Sequence, residues 1–309
     1  MNHSRHTVNN YQGAIVLLLT ICFSASINIA ASSLDVQEII YYRSEAATER
    51  GHQYQLELLE LAMSKTRNDY GPYIIKPSSY EANQKRGLIN LQLKNEINLL
   101  WSMTDIEREE KLLPIRIPLF KGLFGLRLCL VKKGQADRFK DIKTKQDWLD
   151  AGHSIGQGEA WPDTRILRAN DLPIITSPHY SALFKMTARG RIDCFARSIL
   201  EPPSELPRFE VGKIELESHL IFQYRAPIYF FVHKDDYLLA KRIETGLLRS
   251  IEDGSFDGVF YGLHENSFHG LNLENRQLIE LDNPLLSRET PINDPKLWID
   301  LNAVIELDK

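Results

Sequence analysis

The chain has 309 residues, of which 43% are hydrophobic and 25% charged, the balance of a folded globular protein with room for two modest domains. Its formal net charge is −4, or −5 once residues 1–32, whose only charged side chain is Arg5, are set aside. That balance excludes extensive disorder and gives no basic face for a nucleic acid.

In chain order, Arg5 precedes an apolar run at 14–23, and the small residues Ala30, Ala31, Ser32 and Ser33 follow. This is the order of a cleavable secretory signal, and the run is about half the length that a membrane-spanning helix needs. Residues 1–32 are therefore read as a signal peptide. Cys22 lacks the small residue that precedes a lipid-modified cysteine.

Strand-like and helix-like segments then alternate. The pattern predicts strands at 36–42, 71–75 and 97–101 and helices at 53–65, 80–91 and 105–111, with Thr104 placed to cap the last. A long apolar run at 115–131, broken at Lys121-Gly122, reads as an extended crossing. A second series follows: helices at 139–149, 162–170 and 180–188, strands at 154–157, 173–176 and 192–196. A strand at 229–232 and an amphipathic helix at 237–252 return to the first series. The tail, 275–309, with prolines at 284, 291 and 295, reads as an extended strap over one lobe. Repeated β-α alternation implies sheets covered by helices, and a chain that crosses twice between two such bodies makes a hinge with a ligand cleft. Cys129 and Cys194 sit in apolar, strand-like runs; a disulfide fits an oxidising compartment, and two unpaired buried thiols are the expectation adopted.

Three segments carry a family resemblance. Trp101-Ser-Met-Thr-Asp-Ile-Glu-Arg108 resembles the strand, Ser/Thr turn and Glu-Arg helix start of the bacterial extracellular solute-binding protein family 3. Gly190-Arg-Ile-Asp193-Cys-Phe is similar to that family's "GRvDa" segment. The turn from Gly156 to Thr164 is similar to its ligand-binding strand-to-helix turn. The resemblance spans residues 36–255 in order of elements. It implies an α/β protein with the two-lobed type II periplasmic-binding-protein fold, each lobe a mainly parallel sheet flanked by helices, with two crossover strands forming the hinge. Lobe 1 is assigned to 33–130 plus 225–309, including the tail, and lobe 2 to 131–224.

The same resemblance implies a monomeric periplasmic protein that captures a small polar, carboxylate-bearing solute, an amino acid or related organic acid, for a membrane ABC permease. The alternative is a ligand sensor of the same fold that signals to a separate membrane receptor. No cofactor, no metal and no catalytic step are implied. Arg108 is the expected carboxylate clamp, since a guanidinium offers two parallel hydrogen bonds to a carboxylate. Thr104, Trp101 and Tyr42 would accompany it in lobe 1, and Gln157, Trp161, Thr164, Arg197 and Ser198 in lobe 2. The turn before Thr164 is expected to present free backbone N–H groups to an anion. No acid lies between Asp193 and Glu201, where amino-acid binders of the family hold the ligand's ammonium, so an acidic solute lacking a free amine is favoured. The chain has no Gly-x-Ser-x-Gly and no His-Glu-x-x-His, and His264 and His269 read as a solvent-facing pair in a Gly/Asn-rich loop.

Overall fold

The computed structural model describes Met1 and residues 36–44 and 52–309, so the signal-peptide segment lies outside the described residues. Strand β1 (Gln37–Ser44) leads to helices α1 (Gln53–Lys65) and α2 (Arg67–Tyr70), strand β2 (Tyr73–Ala82) and helix α3 (Gln84–Gln92). Strand β3 (Leu100–Met103), helix α4 (Ile106–Lys111) and strand β4 (Leu112–Ile115) complete the first passage. The chain crosses to strand β5 (Leu126–Lys132) and continues through α5 (Lys145–Asp150), β6 (Ile155–Gly158), α6 (Pro162–Ala169), β7 (Ile174–Ser177), α7 (Tyr180–Ala188), β8 (Cys194–Ser198), α8 (Pro202–Glu205), β9 (Ile214–Leu216) and β10 (Leu220–Gln223). It crosses back to β11 (Ile228–His233), α9 (Tyr237–Glu252) and α10 (Ser255–Phe268), then ends in β12 (Gln277–Glu280) and α11 (Leu301–Asp308).

The first lobe holds β3, β11 and β4 as one sheet and β1–β2 as a parallel pair. A parallel bridge from Tyr41 to Leu99 and the Tyr42 N–H on the Leu99 carbonyl join the pair to the β3 edge. The second lobe is a seven-stranded sheet in the order β12-β10-β5-β8-β6-β7, with β9 alongside β5. Neither sheet is mainly parallel: β3-β11-β4 pairs antiparallel throughout, and the seven-stranded sheet is mixed. The antiparallel members are the crossing strands: β11 runs against β3 and β4, and β5 against β8, β9 and β10. A strand that arrives from the other lobe enters its sheet from the cleft side, opposite in direction to strands that follow a covering helix.

Several expected elements shift. Residues 80–82 extend β2, and the following helix begins only where the Asn83 side chain accepts the Arg86 N–H. The long 115–131 run is two strands separated by an irregular crossing at 116–125. His264 lies on α10, a helix anchored by Phe256 and Phe260 one turn apart, both buried. Cys129 and Cys194 form a disulfide that ties β5 to β8, which overturns the expectation of free thiols. Closing a loop with a sequence separation of 65 stabilises by about 4 kcal/mol in the chain-entropy account.

The tail is not confined to one lobe. Strand β12 pairs with β10 in the second lobe's sheet. Asp282 then exchanges two hydrogen bonds with Asn170 at the end of α6, its N–H to Oδ1 at 3.1 Å and its carbonyl from Nδ2 at 2.8 Å. Three residues later the Leu285 carbonyl accepts the Ile106 N–H of α4 in the first lobe. Asn283 donates to the Arg225 carbonyl on the return crossing. Trp298 covers the outward crossing, with its ring where a Cβ on Gly122 would stand; Gly122 also has φ +84°, so only glycine suits it. The Arg225 guanidinium stacks 5.1 Å from the same ring.

Burial of the ring holds His264 and His52 neutral. His264 sits among Tyr54, Phe260 and Phe120 at centroid distances of 4.5, 5.4 and 5.7 Å, and burial lowers its pKa to about 4. His52, edge-on to Trp101 at 5.0 Å, is lowered to about 4 by burial and by Arg43. Both titrate at 6.5 when unperturbed, so between pH 6.5 and 4 the unfolded chain binds protons that the fold refuses. Their contribution is complete above that window and is lost as pH falls through it, at the limit by about 3 kcal/mol each. Thermal unfolding between pH 7.5 and 4.5 is expected to show the drop, and His264→Leu should make it shallower. An equal slope in the variant removes His264 as a cause.

Candidate functional site

The first lobe meets the second where β3 ends and α4 begins. Asp105 caps α4, its Oδ1 accepting the Arg108 N–H at 2.9 Å, so Thr104 is not the cap. The Thr104 hydroxyl instead donates to Glu109 Oε1 at 2.6 Å, with its side chain buried. Capping sets the first turn so that Arg108 points back along β3. Its Nη1 donates to Ser102 Oγ and to the Met103 carbonyl (2.7 Å). Nε faces Asp105 Oδ2 at 3.4 Å. Nη2 donates to Gln84 Oε1 and, across the lobes, to the Ala160 carbonyl, both at 3.2 Å. All five N–H donors of the guanidinium are thereby engaged. Burial lowers its pKa to about 10 against the support of Asp105, and it remains charged at neutral pH.

The second lobe's side of this contact is the turn from β6 to α6. Its N–H groups are mostly spent: Glu159 donates to Ser177, Trp161 to Gly158 and Thr164 to Trp161, while Pro162 has none. The Thr164 hydroxyl returns to the Gly158 carbonyl at 2.8 Å. Trp161 stacks 5.0 Å from the Arg197 guanidinium. Arg197 is buried and donates to both oxygens of Glu205 and to Glu201. Beside it the equally buried Arg127 pairs with Asp163, which also accepts the Tyr224 hydroxyl. Burial works against the charge of Arg197, and the Glu201 and Glu205 carboxylates more than offset it, holding its pKa above the ordinary value. Burial raises the pKa of Glu201, with Glu205 adding to the effect. Removing one partner from such a buried network costs about 3–5 kcal/mol, because the other charge is left uncompensated.

Among the residues singled out in the sequence, Arg108 touches both lobes, and Thr104 lies one strand end away. Trp101 stacks on Tyr41 at 5.9 Å within the first lobe, and the Tyr42 hydroxyl donates to the Ala82 carbonyl at 2.6 Å. Gln157 is wholly buried and donates to the Ala196 carbonyl. Ser198 donates its hydroxyl to the Leu123 carbonyl at 3.3 Å, and its N–H to Glu201. Arg197 and Thr164 are held inside lobe 2. The residue that sequence reasoning passed over is Arg165, on α6, whose Nη2 lies 2.7 Å from Asp105 Oδ2 and whose Nη1 lies 2.9 Å from Glu107 Oε2. Its only signal was its place two residues after Asp163 at a helix start.

Two sheet-based lobes, joined by paired crossings and meeting through charged helix starts, constitute the type II periplasmic-binding-protein fold. No family model and no curated protein sequence matches the chain. Solved structures do. An ancestral arginine-binding protein bound to arginine superposes with a TM-score of 0.53 at 16% identity, covering 74% of this chain and 97% of that one. An ancestral amino-acid-binding protein that is a precursor of cyclohexadienyl dehydratase gives 0.52 at 13%, covering 74% and 95%. The VFT2 domain of BvgS from Bordetella pertussis gives 0.52 at 15%, covering 74% and 92%.

Proposed function

We propose that the protein is a periplasmic binding protein that closes its two lobes on a small carboxylate-bearing solute and passes it to an ABC-type importer, without a chemical step. The observation that carries this reading is the split allegiance of Arg108. Nη1 and Nε are fixed by its own lobe, whereas Nη2 divides its two N–H groups between Gln84 of that lobe and the opposite lobe's Ala160 carbonyl. Separation of the lobes frees the Nη2 N–H that Ala160 holds and leaves the rest of the guanidinium in place. A pre-positioned guanidinium with one donor released is what a carboxylate needs, since little ordering remains to be done on binding. The groups that face each other across the lobes are guanidiniums, carboxylates and a carbonyl, which suit holding charge rather than bond-making. The secretory leader and the Cys129–Cys194 disulfide both fit folding in an oxidising compartment.

The test is thermal unfolding of mature protein, refolded from denaturant to strip any solute, against organic acids, amino acids and their amides. A micromolar solute supplied at millimolar concentration stabilises by about 4 kcal/mol, an upward Tm shift of order 10 °C. Carboxylates are expected to give it and their amides not. A flat response across the panel overturns the reading.

A further inference from the structure

Four charged side chains meet where α4 faces α6. The Asp105 carboxylate is nearly enclosed, its side chain 2% exposed, and lies between guanidiniums from opposite lobes: Oδ2 is 3.4 Å from Arg108 Nε and 2.7 Å from Arg165 Nη2. Glu107 holds the other side of Arg165 but is 56% exposed and shared with Lys111 at 2.6 Å. An exposed pair of that kind is weak and easily exchanged. Asp105 is not exchangeable, because its other oxygen caps α4.

From this geometry we infer that Arg165 is a second, specificity-determining cation of the cleft, and that Asp105 is a built-in latch which holds both guanidiniums, and so the closed form, when no solute is present. The inference rests on the binding reading above and narrows the solute class. Arg108, Arg165 and Asp105 together carry one net positive charge, which matches a single carboxylate. That carboxylate takes the Arg108 Nη2 position from Ala160 and the Arg165 Nη1 position from Glu107. A solute ammonium beside it would face two guanidiniums, with the Asp105 carboxylate already shared between them. The nearby acids of lobe 2 give it no refuge, since Asp163 is bound to Arg127 and Tyr224, and Glu201 and Glu205 to Arg197. The cleft therefore selects a monocarboxylate that lacks an ammonium.

Two variants test the two halves separately. Asp105→Asn keeps a good helix cap and removes the charge. Spin labels on Glu110→Cys and Arg168→Cys, exposed on α4 and α6, read the lobe separation. Without solute, Asp105→Asn is expected to lengthen that distance relative to the labelled parent; an unchanged distance overturns the latch. Lactate and alanine differ only by hydroxyl against ammonium, and calorimetry on both reads the selectivity. The parent is expected to prefer lactate by about a hundredfold, and Arg165→Gln to cut lactate affinity and the preference by about tenfold, some 1.4 kcal/mol. Equal preference in parent and variant overturns the role of Arg165. If neither compound binds the parent, the inferred selectivity for a small monocarboxylate fails, while the solute panel above decides the binding reading and the spin-label distance the latch.

Discussion

Arg108→Ala should lose at least about a hundredfold in affinity for whichever carboxylate the parent binds, a cost of 2–5 kcal/mol for deleting one partner of a desolvated charge pair. Calorimetry on the stripped protein reads it. The fold should survive, because the Asp105 carboxylate keeps Arg165 and the α4 cap. Arg108→Lys should not restore binding. An ammonium has three donors and no planar fork, and the native guanidinium spends its donors on Ser102, Met103, Asp105, Gln84 and Ala160 at once. Unchanged affinity in either variant places the solute elsewhere.

The second large effect belongs to Gly125. It lies on the outward crossing, and its carbonyl accepts the Tyr224 N–H of the return crossing at 3.1 Å. A Cβ on Gly125 would fall inside the Tyr224 carbonyl, which is backbone and cannot swing away. Gly125→Ala must therefore push the two crossings apart, against a core that runs unbroken past them through Leu123, Leu126 and Tyr224. A loss of about 3 kcal/mol or more is expected, at the upper end of what overpacking costs. The comparison is Gly258→Ala on α10, where nothing stands within 4 Å of the added methyl. There a gain of about 0.5–1 kcal/mol is expected from helix propensity. Urea unfolding of the pair checks both signs, and a neutral Gly125→Ala would mean that the crossings are not rigidly apposed.

The outline of the fold was legible because sheet-covering helices and buried strands repeat their apolar residues at different periods, as α1 and β5 show. The ends of elements were not. Pro202 and Pro203 give no helical periodicity, yet proline at a helix start is well tolerated, and the turn they open brings Glu205 back onto Arg197. Helix α10 was hidden by Gly258 and Gly262, which have low helix propensity, although Phe256 and Phe260 mark its buried face. Of the site, Arg108 was legible from a local segment. Its partners Ala160 and Gln84, and the approach of Arg165 to Asp105, join residues from 24 to 60 positions apart, and no local pattern encodes such a meeting. The disulfide is of the same kind, fixed by sheet order rather than by spacing.

The C-terminal segment sets the stroke of the jaws. It is fastened to one jaw at Asp282 and to the other at Leu285. Three residues of fully extended chain span at most about 10 Å. While both fastenings hold, the aperture beside α4 and α6 cannot widen beyond that leash.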